Sequence, residues 1–306
     1  MDRDDTHEGY VELKVNFEEF IKLLDPNDNS FLKKHIPSSN RFIFRGQSDS
    51  TYNLLPSIFR SKIEYSPFKD TYENLCWRQF QYLKSFIQGC DFNNSIIPND
   101  SYSFRKNDAL FKDAYHIRSN TWPDESIYEL LGFAQHYGHP TELLDWTYNP
   151  LVACYFAVSG AIKTEKSSSK SLSIWVLDQE TIYDLNQYEK NIEIIDMPKS
   201  INANISSQEG CFVLIRQYFD RGEKITYPDS LKTIDKLMHE KNKTGLLKIS
   251  ISYNYVPEIL NYCYAHRVNA ATLFRSPAGA AKYVEDNINI LRFKHSNNLK
   301  IKGIPV

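Results

Sequence analysis

The sequence predicts an α+β fold in a single compact domain, with helices in its N-terminal half packed on a mixed or antiparallel sheet. Three observations carry this. Apolar residues recur at helical spacing in several segments of the first half. Runs rich in β-branched and aromatic residues gather later in the chain. The two kinds of segment do not alternate in the regular way that a parallel βαβ sheet requires. With 42% hydrophobic and 24% charged residues over 306 positions, the composition is that of an ordinary globular protein with a sizeable core.

Taken in order, "NFEEFIKLLDPND" places Phe17, Phe20, Ile21 and Leu24 on one helical face and stops at Asp25-Pro26. "RFIFRGQ" reads as a short strand from Arg41 to Arg45, ended by Gly46. Residues 67 to 90 read as a long helix with Tyr72, Leu75, Cys76, Phe80, Leu83 and Ile87 on one side. Residues 91 to 123, polar and broken by prolines, read as an irregular connection. "PDESIYELLGFAQHYG" has an acidic start and ends at Gly138, as a helix does. A second helix runs from about Asn149 to Ala161, with Pro150 suited to its first turn. The hydrophilic loop "KTEKSSSKS" then leads into the β-rich runs "LSIWVLD", "GCFVLIRQY" and "GLLKISIS". "VPEILNYCYAHRV" and "SPAGAAKYVEDNI" read as two C-terminal helices. The expected organisation is an N-terminal helical extension over 1–39, a main domain over 40–290 and a basic tail over 291–306. The tail is defined by Arg292, Lys294, Lys300 and Lys302, with no acidic residue after Asp286.

A net charge of -2 argues against binding nucleic acid through bulk electrostatics. The five cysteines form no CxxC pair, so they are expected as reduced, buried apolar groups. No stretch of 18 uncharged apolar residues is present, and the start "MDRDDTHEGYVELKV" lacks an apolar signal region. A cytoplasmic protein with no membrane partner is the expectation.

The densest chemistry lies in "GFAQHYGHPTELLDWTYNPLVACYFAVSGA". His136 and His139 are three apart, but no HExxH or similar pattern supplies the remaining zinc ligands, and no metal is expected. There is no GxSxG elbow, no GxGxxG and no Walker loop. Asp145, between apolar neighbours, has to be paired or hydrogen-bonded. Two roles are open to it: capping the helix near Asn149 or clamping Arg45, or else contacting a ligand. Arg45 ends an apolar strand beside Gly46, where backbone can approach a ligand closely, and its guanidinium suits bidentate binding of phosphate or carboxylate. Internal pairing with Asp145 is the alternative. Because Arg45, His136 and Asp145 each stand at an element end, they are expected to converge on one site. Tyr137 offers a ring to stack on a flat ligand.

Together these pieces resemble the FRG domain, a bacterial and phage family named for a Phe-Arg-Gly motif that stands here as Phe44-Arg45-Gly46. The family's second block stands as Gln135-His136-Tyr137-Gly138-His139-Pro140-Thr141-Glu142-Leu143-Leu144-Asp145-Trp146-Thr147, then Ala153-Cys154-Tyr155-Phe156-Ala157. A third resembles Gln208-Glu209-Gly210-Cys211-Phe212, and a fourth Leu273-Phe274 with "SPAGAAKYVED". In the fourth, Arg275-Ser276-Pro277 replace the family's usual Phe-Pro-Asp-Leu, so no acid stands there. The resemblance spans about 40 to 290 and implies no mechanism by itself.

A weaker resemblance, to arginine-type ADP-ribosyltransferases, implies one. There an Arg ending a strand binds the NAD phosphates, a Ser/Thr strand running into a helix shapes the nicotinamide site, and a late Glu or Gln-x-Glu contacts the ribose. Arg45 and Gly46 would be the first element, Thr141 or Thr147 the second, and Gln208 with Glu209 the third. Gln208 is expected to face inward with Glu209 opposite it on an extended strand. The function implied is NAD cleavage or ADP-ribosyl transfer, with NAD as substrate, a protein or nucleic-acid acceptor, and a toxin or phage-defence role. His136 would assist catalysis, and Asp145, Tyr137, Thr141 and Thr147 would line the NAD site. Two other classes compete: a non-enzymatic nucleotide or phage-component sensor built on Arg45, His136 and Asp145, and a metal-dependent nuclease using Asp145, Glu142 and His136.

Overall fold

The computed structural model describes residues 2–4, 9–36, 41–60, 71–107, 121–163, 170–186, 190–198, 206–226 and 229–296. One mixed sheet organises them. Its strands are β1 (Asp2–Asp4), β2 (Val11–Val15), β3 (Phe42–Gln47), β4 (Leu144–Thr147), β5 (Ser171–Asp178), β6 (Ile192–Ile195), β7 (Gly210–Ile215) and β8 (Leu246–Ser252). They lie in the order β1-β2-β8-β5-β3-β4-β7-β6. Only β2 and β8 are parallel; the other neighbours are antiparallel.

Alternation along the strands decides which face each side chain takes. Phe42 and Phe44 of β3, Leu172, Ile174 and Val176 of β5, and Leu247, Ile249 and Ile251 of β8 share one core. Helices α1 (Phe17–Leu23), α4 (Pro150–Ala161), α7 (Val256–Ala265) and α8 (Pro277–Ser296) cover it. Farther along, α2 (Tyr72–Phe92) and α3 (Tyr128–His136) pack with Phe212 and Leu214 of β7. The intervening strand residues, among them Ile43, Trp146, Trp175, Leu177 and Val213, pack with α5 (Gln179–Leu185) and α6 (Ile234–Glu240) in a third core.

α4 is apolar on nearly every side, as a helix enclosed by protein should be. Its start is set by Asn149, whose side chain accepts from the Leu151 amide at 3.0 Å, followed by Pro150 in the first turn.

The sheet is narrowest at its middle. β3 and β4 share a single residue pair, Phe44 with Thr147, whereas every other neighbouring pair shares at least three. A five-strand part (β1, β2, β8, β5, β3) thus joins a three-strand part (β4, β7, β6) through that one pair, and the strands fork on either side of it.

Several expectations change. The N-terminal stretch expected to be a helical extension also contributes β1 and β2, and β2 is paired to β8 from Val11 to Val15. Glu12 on β2 is buried against Ser250 and Lys248, a polar side chain that hid the strand from an apolar count. β3 does not end at Gly46 but continues to Gln47. "LLDWT" contains a strand, and the connection over 91–123 includes a short helix, Tyr102–Asn107; residues 108–120 lie outside the described set. α8 runs to Ser296, so the expected tail boundary falls inside a helix, and Lys294 is buried there; Lys300 and Lys302 lie outside the described residues. All five cysteines are free and buried. Among the described residues no helix is long and apolar enough to cross a membrane.

Candidate functional site at the fork of the sheet

Arg45 occupies the fork. Its neighbours Phe44 and Gly46 face α4, which sends its side chain to the other face of β3. The guanidinium Nη1 donates to the Asp145 carbonyl oxygen at 2.6 Å and lies 3.8 Å from Asp145 Oδ2. Nε is buried with no hydrogen-bond acceptor. Burial draws the Arg45 pKa below the usual guanidinium value; Asp145 opposes the fall and nearby Arg60 adds to it.

Asp145 is held on the strand but its carboxylate looks outward, 67% exposed. Oδ1 accepts from Gln135 Nε2 at 2.6 Å, and Gln135 Oε1 accepts from the Thr141 hydroxyl. Thr141 Oγ1 in turn accepts from the Leu143 amide at 3.1 Å. The exposed carboxylate is therefore aimed by a side-chain chain that starts inside the fold. His136 follows Gln135 at the end of α3 and is within the electrostatic reach of Asp145. Partial burial lowers its pKa and Asp145 pulls it back up, so at neutral pH the imidazole is mainly neutral and able to accept a proton. Arg45, Asp145 and His136 are thus brought together, across a hundred residues of sequence.

The other expected residues divide. Tyr137 is 66% exposed with its ring edge-on to His136, centroids 5.2 Å apart. His139 instead packs its ring on Phe86, centroids 5.8 Å apart. Gly46 is required by packing: a Cβ there would sit 1.9 Å from the Ala153 carbonyl oxygen, so the close approach it allows is that of α4. The Thr147 hydroxyl donates to the Gln208 carbonyl oxygen at 2.7 Å and accepts from the Asn149 amide at 3.0 Å. It ties the segment before β7 to the turn between β4 and α4.

Gln208 and Glu209 precede β7 rather than lying in it, so strand alternation does not set their directions. Gln208 Nε2 reaches the Leu273 carbonyl oxygen at 3.4 Å. Glu209 has φ +46°, a left-handed conformation uncommon outside glycine, and its exposed carboxylate accepts from Asn149 Nδ2 at 2.9 Å. Thr147 pairs with both Phe44 and Gly210. The backbones on either side of β4 are thus about two strand spacings apart, ~10 Å.

Glu142, weighed as a metal ligand, is buried in a separate network. It accepts from Gln79 Nε2 at 2.5 Å and Tyr72 OH at 3.0 Å, while Gln79 Oε1 accepts from Trp122 Nε1 at 3.3 Å. It does not face the fork with Asp145, and among the described residues no three His, Cys, Asp or Glu side chains group as a metal site requires. Burial raises the Glu142 pKa to about 7, with the Gln79 and Tyr72 donors and Arg216 working the other way. A carboxyl whose folded pKa exceeds its unfolded value of 4.5 costs stability as pH rises through that interval and fully above it. Glu142→Gln keeps an acceptor and carries no charge. Its stability relative to the parent should improve by on the order of 2 kcal/mol between pH 5 and pH 8. Denaturant unfolding at both pH values measures this; a difference independent of pH would be the contrary result.

An α+β protein with a split sheet and a cationic-acidic cluster at the split is the class that fold and site define. Residues 40–166 match the family model of the FRG domain, and the chain carries an FRG domain over those residues. No curated protein and no solved structure matches the chain. The match contains the Phe-Arg-Gly and His-Tyr-Gly blocks and supplies β3, β4 and α4. The third and fourth blocks fall outside it. Yet β3 and β4 are flanked by β5 and β7, so the matched stretch draws its sheet neighbours from the rest of the chain.

Gln135, which aims Asp145, has a local signal in the sequence: as the penultimate residue of α3 it can reach the strand that follows.

Proposed function

We propose that the chain binds NAD across the fork of its sheet and cleaves the nicotinamide-ribose bond, transferring ADP-ribose to water or to an acceptor. The observation that carries this reading is Arg45, a buried cation whose Nε has no acceptor, at the point where the two halves of the sheet part. A guanidinium so placed can engage a phosphate without first breaking all its own bonds. Glu209 stands at the head of β7, across β4 from β3, as an exposed carboxylate.

In the reaction the C1′–N bond of the nicotinamide riboside breaks and its electron pair leaves with nicotinamide. Positive charge builds on the ribose, and a carboxylate beside the ribose hydroxyls stabilises it. Glu209 carries charge, whereas Gln208 carries none and its amide is engaged with Leu273. The carboxylate role therefore passes to Glu209. Neutral His136, beside Asp145, can take the proton from the incoming nucleophile.

That engagement of Gln208 also supports a second reading, in which the same fork binds a nucleotide without turning it over. Incubating the protein separately with NAD, RNA and DNA, with and without EDTA, tests both. Nicotinamide release insensitive to EDTA is the expected result. NAD binding without release would select the sensor, and EDTA-sensitive cleavage of RNA or DNA would overturn both.

A further inference from the structure

We infer that Trp146 is a ligand-binding residue whose indole N–H, together with Arg45 Nε, forms a two-donor slot for a phosphate or pyrophosphate group. The inference rests on the proposed placement of a dinucleotide's phosphates at Arg45 and adds a residue that neither the motif nor the fold assigns to binding.

Register puts the two side chains on one face of adjacent strands. Phe44 and Thr147 are antiparallel partners, and Arg45 and Trp146 are the next residues inward, where the two strands part. Both lie on the face opposite Phe44: Trp146 belongs to the core that holds Ile43 and Trp175, and Arg45 is directly paired with Trp175 on β5.

Both donors lack an acceptor. Trp146 is only 3% exposed, and neither its Nε1 nor Arg45 Nε has a hydrogen-bond partner. The other buried indoles behave differently: Trp175 Nε1 donates to Gln47 Oε1 at 2.7 Å and Trp122 Nε1 to Gln79 Oε1 at 3.3 Å. A buried N–H without an acceptor costs about 1–3 kcal/mol, and two such donors on one face of adjacent strands call for an acceptor from outside the chain. The local charge specifies its kind. Arg60 and Arg45 are near enough to interact, with Asp145 as the acid that acts on Arg45. An anion with several acceptor oxygens matches two N–H donors and a surplus positive charge.

The test uses inorganic pyrophosphate and the full chain. Calorimetric titration should show binding to the parent and binding at least about tenfold weaker to Trp146→Phe, since a hydrogen bond to a charged partner is worth about 1.5–3 kcal/mol. Cooperative melting serves as the control for folding. If the variant does not fold, the indole N–H resonances of the parent answer instead, assigned by replacing Trp77, Trp122 and Trp175 singly with Phe. The Trp146 resonance should move on adding pyrophosphate. Failure of the parent to bind, equal affinity in Trp146→Phe, or a Trp146 resonance that stays fixed would each overturn the inference. Pyrophosphate binding that depends on Trp146 in a protein that releases no nicotinamide would uphold the slot while removing the enzyme.

Discussion

Gly46→Ala should lower stability by about 3 kcal/mol or more, the largest loss expected from removing no contact at all. The added Cβ would lie 1.9 Å from the Ala153 carbonyl oxygen and 2.9 Å from the Ala157 amide nitrogen, both backbone atoms of α4. A flexible side chain could swing aside; a helix cannot. α4 is buried from Leu151 to Tyr155 and again at Ala157 and Val158, so moving it disturbs the core it shares with β3, β5 and β8. Overpacking of well-filled cores costs about 1–3 kcal/mol, occasionally more, and a rigid backbone contact belongs at the upper end. Against a total stability of roughly 5–15 kcal/mol this is a large fraction. Urea unfolding measures it. A variant as stable as the parent would show that β3 and α4 are not in the contact described.

Glu209→Gln should reduce nicotinamide release by about a hundred- to a thousandfold while leaving NAD affinity within a fewfold. The substitution retains shape and an acceptor for Asn149 but removes the charge. If the carboxylate stabilises positive charge that exists only as the glycosidic bond breaks, its loss acts on kcat and costs about 2.7–4 kcal/mol. The left-handed backbone at Glu209 is untouched, because Gln and Glu meet the same backbone constraint at φ +46°. A rise in KM with unchanged kcat would place Glu209 in ground-state binding and leave the chemistry without its carboxylate.

How far the sequence anticipates this site depends on the distance over which each signal acts. Helices α1, α3 and α4 are legible because their caps and apolar spacing lie within one or two turns, as with Asn149, Pro150 and the run that follows. Strand β4 is four residues long and buried at three, too short for an alternating pattern to declare itself, and it read as an apolar flank to Asp145. β2 was hidden by Glu12 and Lys14, which belong to a polar row of the sheet. Arg45 and Asp145 could be weighed as partners from charge and burial alone. Their contact, however, depends on a pairing between strands a hundred residues apart, and no local pattern encodes that register. Gly46 shows the reverse: the residue type is informative locally, but the close approach of α4 that requires it comes from a helix more than a hundred residues away in the sequence. The left-handed turn at Glu209 could not be foreseen for the same reason, since it is imposed by β7 joining β4 and by the Tyr148 amide that donates to the Glu209 carbonyl oxygen at 3.0 Å.

The claim at the centre of this account is that Arg45 receives the phosphates of a dinucleotide at the fork between β3 and β4. Equilibrium titration of NAD into the parent and into Arg45→Ala tests it most directly. Loss of a charge-assisted hydrogen bond is worth about 1.5–3 kcal/mol, so affinity should fall about tenfold to a hundredfold with cooperative unfolding retained. A folded Arg45→Ala protein that binds NAD as tightly as the parent would contradict the claim.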